Sequence, residues 1–291
     1  DWVQYQDDPA LWNAVDAIPD QVLWDVRQKL KLDLIWFLIT QAQRRGALGE
    51  TTPKHVVWSG ALFGRDVLTI GFARRFATYK RATLLFSDME RLARLVNNVY
   101  RPVQFVFAGK AHPQDEGGKK LIQDICQRAL DPDLAGRIAF LENYDMGVAS
   151  YLVRGVDVWL NNPRRPREAS GTSGEKAALN GVPNLSIMDG WWAEGYNGYN
   201  GWTIGNGEVF TSEDQQDLSD ADDLYRVLED EVLPLYYLRT VDGLPRGWLS
   251  KVRESIKSAA PYFSTRRMVK EYTERMYVPP LRQAMTTRVG V

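Results

Sequence analysis

The chain has 291 residues, with 36 lysines and arginines against 37 aspartates and glutamates, for a formal net charge of −1. Hydrophobic residues make up 44% and charged residues 25%, as in ordinary soluble globular proteins, which excludes a disordered or fibrous chain. The near-zero charge provides no overall basic field, so we expect neither a nucleic-acid partner nor an anionic membrane surface. One cysteine and two histidines allow no internal disulfide and no structural zinc site, which predicts a metal-free protein in a reducing, cytoplasmic compartment.

The hydrophobic pattern divides the chain into three parts. Residues 1–55 are predicted to be a lead-in with one long helix, Pro19–Gly46, because apolar residues recur there at helical spacing. Its longest apolar run, Leu34–Ile39, is far shorter than the roughly 18–20 residues of a membrane span. Residues 206–291 are predicted to be a helical extension packed on the same domain, after an acidic stretch, Glu208–Asp223. The helices of that extension are Leu224–Tyr237, Arg246–Ala260 and Thr265–Tyr277.

The middle part, residues 56–205, alternates apolar runs of strand length with helix-period segments. The predicted strands are Val67–Phe72, Val103–Ala108, Ile138–Leu141, Val156–Leu160 and Asn184–Met188. The predicted helices between them are Thr83–Val99, Lys119–Leu130, Met146–Arg154 and one that begins near Lys176. This alternation predicts an α/β fold, a Rossmann-like doubly wound parallel sheet. Ligands of such sheets bind at the carboxyl ends of the strands, near the switch point.

An unusual aromatic stretch, Gly190–Trp202, follows the last predicted strand. Its Asn/Gly pairs predict a structured loop instead of a regular element. Two interpretations stay open: a hydrophobic lid over the sheet edge, or direct contact with a ligand such as a sugar.

Several common catalytic motifs are missing. His55 and His112 lie near no nucleophile elbow, which disfavours acyl transfer. The dinucleotide-binding glycine fingerprint is absent after the first predicted strand. The run Gly171–Lys176 departs from the Walker pattern in its spacing and in Ala177, so it is not a P-loop.

Two features nevertheless predict a phosphate site. The run Gly171–Lys176 opens a helix, whose first N–H groups attract anions; the alternative is that Thr172 or Ser173 is a plain N-cap. A basic cluster, Arg74, Arg75, Lys80 and Arg81, follows the first strand and so belongs at the same sheet edge; the alternative is a solvated helix face. A lysine beside a phosphate seat, Lys176, suggests a phosphorylated aldehyde cofactor, pyridoxal phosphate, although any surface lysine would give the same pattern.

These residues resemble a known family. The stretch Glu168–Gly181 (EASGTSGEKAALNG), followed by Met188–Gly190, resembles the cofactor-lysine motif of the glycogen/starch (α-glucan) phosphorylases. Arg74–Arg81 (RRFATYKR) resembles the basic motif of that family, and Ala108–Pro113 and Glu142–Tyr144 match two more segments in the same order. The similarity covers about residues 19–278, and the run Asp189–Gly198 (DGWWAEGYNG) is similar to the smaller, prokaryotic branch.

The resemblance implies an enzyme and its site. The implied reaction is the retaining phosphorolysis of the terminal α-1,4 bond of a glucan by inorganic phosphate, which releases glucose 1-phosphate. Lys176 would form the Schiff base with pyridoxal phosphate, whose phosphate would act as acid and base. The implied catalytic residues are Lys176 together with Arg75 and Lys80, which would bind the substrate phosphate. The implied cofactor contacts are Thr172, Ser173, Arg74 and Tyr144, and the implied glucosyl contacts are Glu168, Ser170, Gly171 and Tyr79.

Some positions differ from the family pattern. Arg74 stands where lysine is commoner, Ala77-Thr78 replace a His-Glu pair, and Gly174-Glu175 replace Asn-Met. Lys176 is retained, which argues against the cofactor-free glycosyltransferases of the same two-domain GT-B architecture.

Two alternatives stay open. One is a nucleotide-sugar glycosyltransferase domain, and the other is a non-catalytic glucan-binding module that uses the aromatics of Gly190–Trp202. Because the resemblance begins in the middle of the family's proteins, we expect this chain to be the C-terminal domain without its N-terminal partner domain. Such a chain would bind pyridoxal phosphate weakly at most and turn over no glucan alone, and the full-length enzyme would be a homodimer.

Overall fold

The computed structural model describes residues 2–47, 49, 52–134, 136–205 and 207–289. Within these residues, one sheet of six parallel strands organises the chain. Its strands are β1 (Leu68–Ala73), β2 (Val103–Ala108), β3 (Ile138–Leu141), β4 (Val158–Asn161), β5 (Asn184–Ile187) and β6 (Gly201–Ile204). Nearly every strand residue is buried, as expected of a parallel sheet that is covered on both faces.

The strand order is β3-β2-β1-β4-β5-β6, and the direction of winding reverses between β1 and β4. Residue Ile70 of β1 pairs with Val158 of β4 at this point. The order is that of the doubly wound Rossmann sheet, so the predicted α/β class is confirmed. The crevice between the carboxyl ends of β1 and β4 is therefore where a ligand is expected.

Thirteen α-helices surround the sheet in the described part of the chain. They are α1 (Pro9–Asn13), α2 (Asp20–Ala47), α3 (Pro53–Trp58), α4 (Met89–Val96), α5 (Glu116–Arg128), α6 (Met146–Gly155), α7 (Thr172–Leu179), α8 (Trp191–Gly195), α9 (Glu213–Val227), α10 (Leu233–Tyr237), α11 (Arg246–Ala259), α12 (Thr265–Tyr272) and α13 (Val278–Val289). Single π-helical turns, Leu228–Val232 and Thr273–Tyr277, join α9 to α10 and α12 to α13.

Two hydrophobic layers cover the sheet. On one face, Leu34 and Leu38 of α2 and Leu152 of α6 pack with Val106 and Trp159 of the strands. The other face is larger and includes residues of α4, α5, α9 and α11, among them Leu92, Ile125, Leu224 and Trp248. Helices α9 and α11 thus belong to the same core as the sheet.

The amino edge of the sheet holds two buried cations that each make three hydrogen bonds. The Lys31 ammonium contacts Asp157 Oδ2 at 2.6 Å, Tyr236 Oη at 3.0 Å and the carbonyl of Val67 at 2.5 Å. The Arg27 guanidinium donates to the backbone carbonyls of Arg154, Val156 and Asn180 at 2.6–3.1 Å. These bonds join α2 to the strands and to the ends of α6 and α7.

Several predicted boundaries are wrong for local reasons. The region Thr83–Val99 is not one helix, because the Asp88 side chain accepts from the Arg91 N–H at 2.8 Å and starts α4 only at Met89. Helix α9 begins in the predicted acidic stretch, at Glu213, where the Ser212 side chain accepts from the Gln215 N–H. Gly46 does not end the long helix, which runs to Ala47.

Candidate active site

Arg74 is the central cation at the carboxyl end of β1. Its backbone N–H continues the β1–β2 ladder by donating to the Ala108 carbonyl at 3.1 Å, and its guanidinium lies 5.1 Å from the centre of the Phe72 ring. Burial lowers the pKa of the Arg74 guanidinium to about 10, while Glu168, Tyr79 and Tyr144 oppose this shift. Two of its nitrogens, Nε and one Nη, are buried and have no hydrogen-bond partner among the described residues. A buried cation with unused hydrogen-bond donors is suited to bind an anion.

Glu168 brings the second cation into the site. It follows β4 across the switch point, and its Oε2 contacts both Arg74, at 3.5 Å, and the ammonium of Lys80. The Lys80 ammonium also lies 4.7 Å from the centre of the Tyr79 ring. The backbone N–H of Glu168 donates to Asp189 Oδ2 at 2.9 Å, so the loop after β5 fixes the position of the Glu168 backbone. Asp189 belongs to the sequence motif Met188–Gly190, but no role in the site was predicted for it.

The N-terminus of α7 lies in the same crevice. Its N-cap is Gly171, with φ at +85°, and Thr172 is the first helical residue. The alternative prediction, that Thr172 or Ser173 caps the helix with its hydroxyl, is therefore wrong. Glycine carries no side chain to compete for the first N–H groups of α7, which stay available for an anion.

Neighbouring groups hold the turn before α7 in place. The Ser170 carbonyl accepts from the Trp191 N–H at 2.8 Å, and the Ser170 hydroxyl donates to Glu175 at 3.3 Å. Gly174 fits closely, because a Cβ there would lie 2.5 Å from Asn184 Oδ1 and 2.7 Å from Trp191 Nε1. A side chain at position 174, such as the Asn that is commoner in the family, would therefore require Asn184 or Trp191 to move.

The remaining predicted site residues lie around this cluster. The Tyr144 ring is half-buried after β3, and burial raises the pKa of its phenol while the nearby Arg74 cation lowers it in part. The side chains of Lys176 and Arg75 are exposed. Within the described residues, the Lys176 ammonium makes no hydrogen bond or ion pair. The structure thus brings Arg74, Lys80 and Glu168 into contact, with Tyr79 and Tyr144 within electrostatic reach of Arg74 and with Lys176 on the helix beside them.

One member of the predicted basic cluster is structural. The Arg81 guanidinium is buried, donates to the carbonyls of Asn162 and Pro163, and pairs with Asp217 at 2.9 Å and Asp220 at 2.7 Å on α9. It is fully used in attaching α9 to the loop after β4, so its assignment to the phosphate site is wrong. The alternative of a solvated basic face is also wrong, because Arg74, Lys80 and Arg81 are all buried.

The aromatic stretch differs from the prediction. Gly190–Trp202 contains a regular helix, α8, and the start of β6, the edge strand that the sequence prediction missed. Its indoles are core residues, since Trp191, Trp192 and Trp202 are 3%, 0% and 4% exposed. The Trp192 Nε1–H donates to the Trp202 carbonyl at 3.1 Å. These three rings therefore contribute to the packing of the sheet edge and present no open face to a ligand.

The donor set suits a phosphorylated ligand. The unused Arg74 nitrogens and the glycine-capped N-terminus of α7 provide N–H donors for anionic oxygens. The residues that the structure describes contain no group of three or more His, Cys, Asp or Glu side chains arranged to hold a metal ion. In that same part of the chain, no helix combines the length and apolar character needed to cross a membrane.

Fold and site together define a class: a doubly wound α/β protein with an anion-binding crevice at its switch point. Residues 65–195 match the family described as carbohydrate phosphorylase. The chain is 49% identical to the glycogen phosphorylase of Aquifex aeolicus over 97% of this chain and 40% of that protein. It is 48% identical to the maltodextrin phosphorylase of Thermococcus litoralis, over 98% of this chain and 33% of that protein. The glycogen phosphorylase of Mycobacterium tuberculosis is 42% identical over 94% of this chain and 32% of its own length.

The chain therefore belongs to the carbohydrate phosphorylase family, as the sequence motifs predicted. It spans about a third to two fifths of the length of these curated relatives, from 32% to 40%.

Proposed function

We propose that this chain is the cofactor- and phosphate-binding part of an α-1,4-glucan phosphorylase. The reaction is the retaining phosphorolysis of the terminal α-1,4-glucosidic bond of a glucan, with inorganic phosphate as the acceptor and glucose 1-phosphate as the product. The observation that carries the proposal is the buried Arg74 guanidinium, two nitrogens of which have no hydrogen-bond partner in the described part of the chain, beside Lys80 and the N-terminus of α7. The identity of 42–49% to glycogen and maltodextrin phosphorylases supports the same conclusion.

The residues fit pyridoxal phosphate as the cofactor. When bound, pyridoxal phosphate supplies a phosphate group that exchanges a proton with the substrate phosphate. Lys176 would hold the cofactor covalently, with the backbone N–H groups of Thr172 and Ser173 and the Arg74 guanidinium on its phosphate. Tyr144 would lie against the ring. The partial positive charge at the helix N-terminus favours this anion over water.

Lys80 and Arg75 are assigned to the substrate phosphate. Lys80 is held at the crevice by Glu168 and by the Tyr79 ring, and Arg75 is exposed next to Arg74 in the chain. Two phosphate groups close together repel each other, and cations that are already positioned reduce this repulsion without reorganisation during the reaction.

The glucosyl group is assigned to Glu168, Ser170, Gly171 and Tyr79. Both ion pairs of Glu168 use Oε2, which leaves Oε1 to accept from a sugar hydroxyl. Asp189 acts indirectly on the Glu168 carboxylate. Its Oδ2 accepts a hydrogen bond from the Glu168 backbone N–H and so fixes the position of the Glu168 backbone. We assign to the enzyme an α-1,4-glucan as substrate, a homodimeric assembly and a cytoplasmic location.

The test is phosphate-dependent release of glucose 1-phosphate from maltoheptaose by the natural full-length protein. Lys80→Ala should lower kcat/KM for phosphate by about 10²–10³-fold, since it removes a positioned cation from the charge that develops in the reaction. Lys119→Ala is the matched control, because that lysine is partly exposed on α5 and, among the described residues, forms an ion pair only with Glu116 three residues earlier. Glucosyl transfer from a nucleotide sugar, without phosphorolysis, would instead support the glycosyltransferase alternative.

A further inference from the structure

The turn that leads into α7 depends on its neighbours for its shape. Its N-cap, Gly171, has φ at +85° and makes no side-chain hydrogen bond, so the cap residue itself does little to fix the turn. Ser170 directly precedes it, and both residues are assigned to the glucosyl group. A small movement of this turn would therefore change the contacts of the sugar, which makes the groups that hold the turn important for binding.

One side of the turn is held by the loop after β5. The Trp191 N–H donates to the Ser170 carbonyl at 2.8 Å. Gly190 has φ at +58°, and a Cβ there would lie 2.4 Å from the Ser170 carbonyl oxygen, so the two backbones are in close contact. These contacts fix the backbone of Ser170, but they do not fix its side chain.

The other side of the turn is held by Glu175. Side chains on a helix lean toward its N-terminus, so the Glu175 carboxyl reaches back over the first turn of α7. There the Ser170 hydroxyl donates to Glu175 Oε1 at 3.3 Å. An ionised carboxylate only accepts hydrogen bonds, so the hydrogen in this bond comes from Ser170. The bond therefore sets the direction of the Ser170 hydroxyl as well as its position.

The surroundings of Glu175 keep this bond partly away from water. The Glu175 side chain is half-buried, and burial raises the pKa of its carboxyl, while the bond from Ser170 and the Lys176 cation lower it in part. The like charge of Glu194 on α8 raises the same pKa. A carboxylate that loses water needs a hydrogen-bond donor in exchange, and the Ser170 hydroxyl supplies one.

Position 175 is also where this chain differs from the family pattern, which commonly has Met there. The sulfur of a methionine is only a weak acceptor for a serine hydroxyl. The hydrogen bond between Ser170 and Glu175 is thus an addition of this chain to the glucosyl turn.

We propose that Glu175 is a positioning residue for the glucosyl group, because it holds the turn Ser170–Gly171 through the Ser170 hydroxyl. The inference rests on the proposed function for the identity of the ligand. Glu175 is assigned no contact with the sugar or with a phosphate. Its effect should be confined to the binding of the glucan, since Lys80, assigned to the substrate phosphate, is held by Glu168.

The experiment measures the kinetics of glucose 1-phosphate release from maltoheptaose by the natural full-length protein. Glu175→Met should raise the KM for maltoheptaose about threefold to tenfold, as expected for the loss of one partly exposed hydrogen bond. The value of kcat and the KM for phosphate should stay as in the wild type. Glu175→Gln should restore the wild-type KM, since its side-chain carbonyl still accepts from Ser170. Damage to the fold would instead lower the fraction of active enzyme, and so kcat, without changing KM.

Two further variants show whether Glu175 acts through Ser170. In a Ser170→Ala background, Glu175→Met should cause no additional rise in the KM for maltoheptaose, because the bond is already absent. Glu194→Gln is the matched control for charge. It removes an exposed carboxylate near Glu175 without removing the bond, and it should leave the KM unchanged.

The outcomes separate this inference from the proposed function. If the wild type releases glucose 1-phosphate but Glu175→Met keeps the wild-type KM for maltoheptaose, only this inference is wrong. If Glu175→Gln or Glu194→Gln raises the KM as much as Glu175→Met, charge and not the hydrogen bond is responsible, and the inference is again wrong. An undiminished effect of Glu175→Met in the Ser170→Ala background would contradict it as well. If the wild type releases no glucose 1-phosphate, the proposed function itself fails.

Discussion

The two edges of the sheet bury cations in opposite ways. At the amino edge, Lys31 and Arg27 each make three hydrogen bonds, to a carboxylate, a phenol and four backbone carbonyls in all. At the carboxyl edge, Arg74 is equally enclosed, but two of its nitrogens have no hydrogen-bond partner among the described residues and its ion pair with Glu168 is long, at 3.5 Å. Partners offset the desolvation cost of a buried charge, whereas a buried charge without them keeps a cost that a ligand can remove. The difference separates structural cations from functional ones.

The largest expected effect is at the amino edge. Lys31→Met would leave the Asp157 carboxylate buried without its counter-ion, and we expect the free energy of unfolding to fall by about 3–5 kcal/mol. Urea denaturation measures this loss. The matched control is Lys29→Met on the same helix, because that lysine is exposed and its pair with Asp33 contributes only about 0.5 kcal/mol. Equal losses of unfolding free energy in the two variants would show that the buried Lys31–Asp157 pair contributes no more to stability than the exposed Lys29–Asp33 pair.

The next effect compares the two buried arginines directly. Arg27→Met removes charge-assisted bonds to three carbonyls and should lower the free energy of unfolding by about 2–3 kcal/mol. Arg74→Met should leave it unchanged or raise it, because a buried cation with missing partners is removed and Glu168 keeps its contact with Lys80. The same denaturation measurement, without phosphate or cofactor, compares both variants. A loss for Arg74→Met as large as that for Arg27→Met would make Arg74 a structural residue.

The smallest effect concerns Glu175, which stands where the family commonly has Met. Burial raises the pKa of the Glu175 carboxyl. A carboxyl whose pKa is higher in the folded state destabilises the fold when it is ionised, so Glu175→Gln should raise Tm at pH 7. Because solvent screens this half-buried group, the rise should be no more than about 2 °C.

The pH dependence of the Glu175 effect provides its control. The gain should disappear as the pH falls below the unfolded-state value of about 4.3, where the carboxyl is protonated in both states. A thermal melt of wild type and variant from pH 4 to pH 8 measures the difference. A gain of the same size at every pH would mean that charge is not its cause.

The fold was predictable because parallel strands that are buried on both faces consist of short runs of consecutive apolar residues. Five of the six strands have this pattern, but β6 lies at the edge and begins at Gly201, directly after an Asn/Gly-rich segment. Because the Asn/Gly-rich composition predicts a turn, β6 was not predicted there. The start of α9 was missed for a related reason, since its first turns are acidic and its core contacts begin only near Asp220 and Ala221.

The site was predictable in part. The carboxyl ends of parallel strands lie at one edge of the sheet. Arg74, Lys80 and Glu168 were therefore expected to lie close together, although Arg74 and Glu168 are almost a hundred residues apart in the chain. Which cations keep unused donors was not predictable, because Arg81 is neutralised by Asp217 and Asp220 from a helix far along the chain. The support that Asp189 gives to the Glu168 backbone also depends on a tertiary contact that no local pattern shows.

The most direct test of this account is chemical trapping of pyridoxal phosphate. The wild-type protein is incubated with the cofactor and reduced with borohydride, and the modified lysines are identified by peptide mass spectrometry. We predict a single phosphopyridoxyl group on Lys176, with much lower occupancy in Arg74→Met. A label spread equally over exposed lysines such as Lys29 and Lys119, or one on Lys176 that is unaffected by Arg74→Met, would contradict the claim that the carboxyl edge is an anion site.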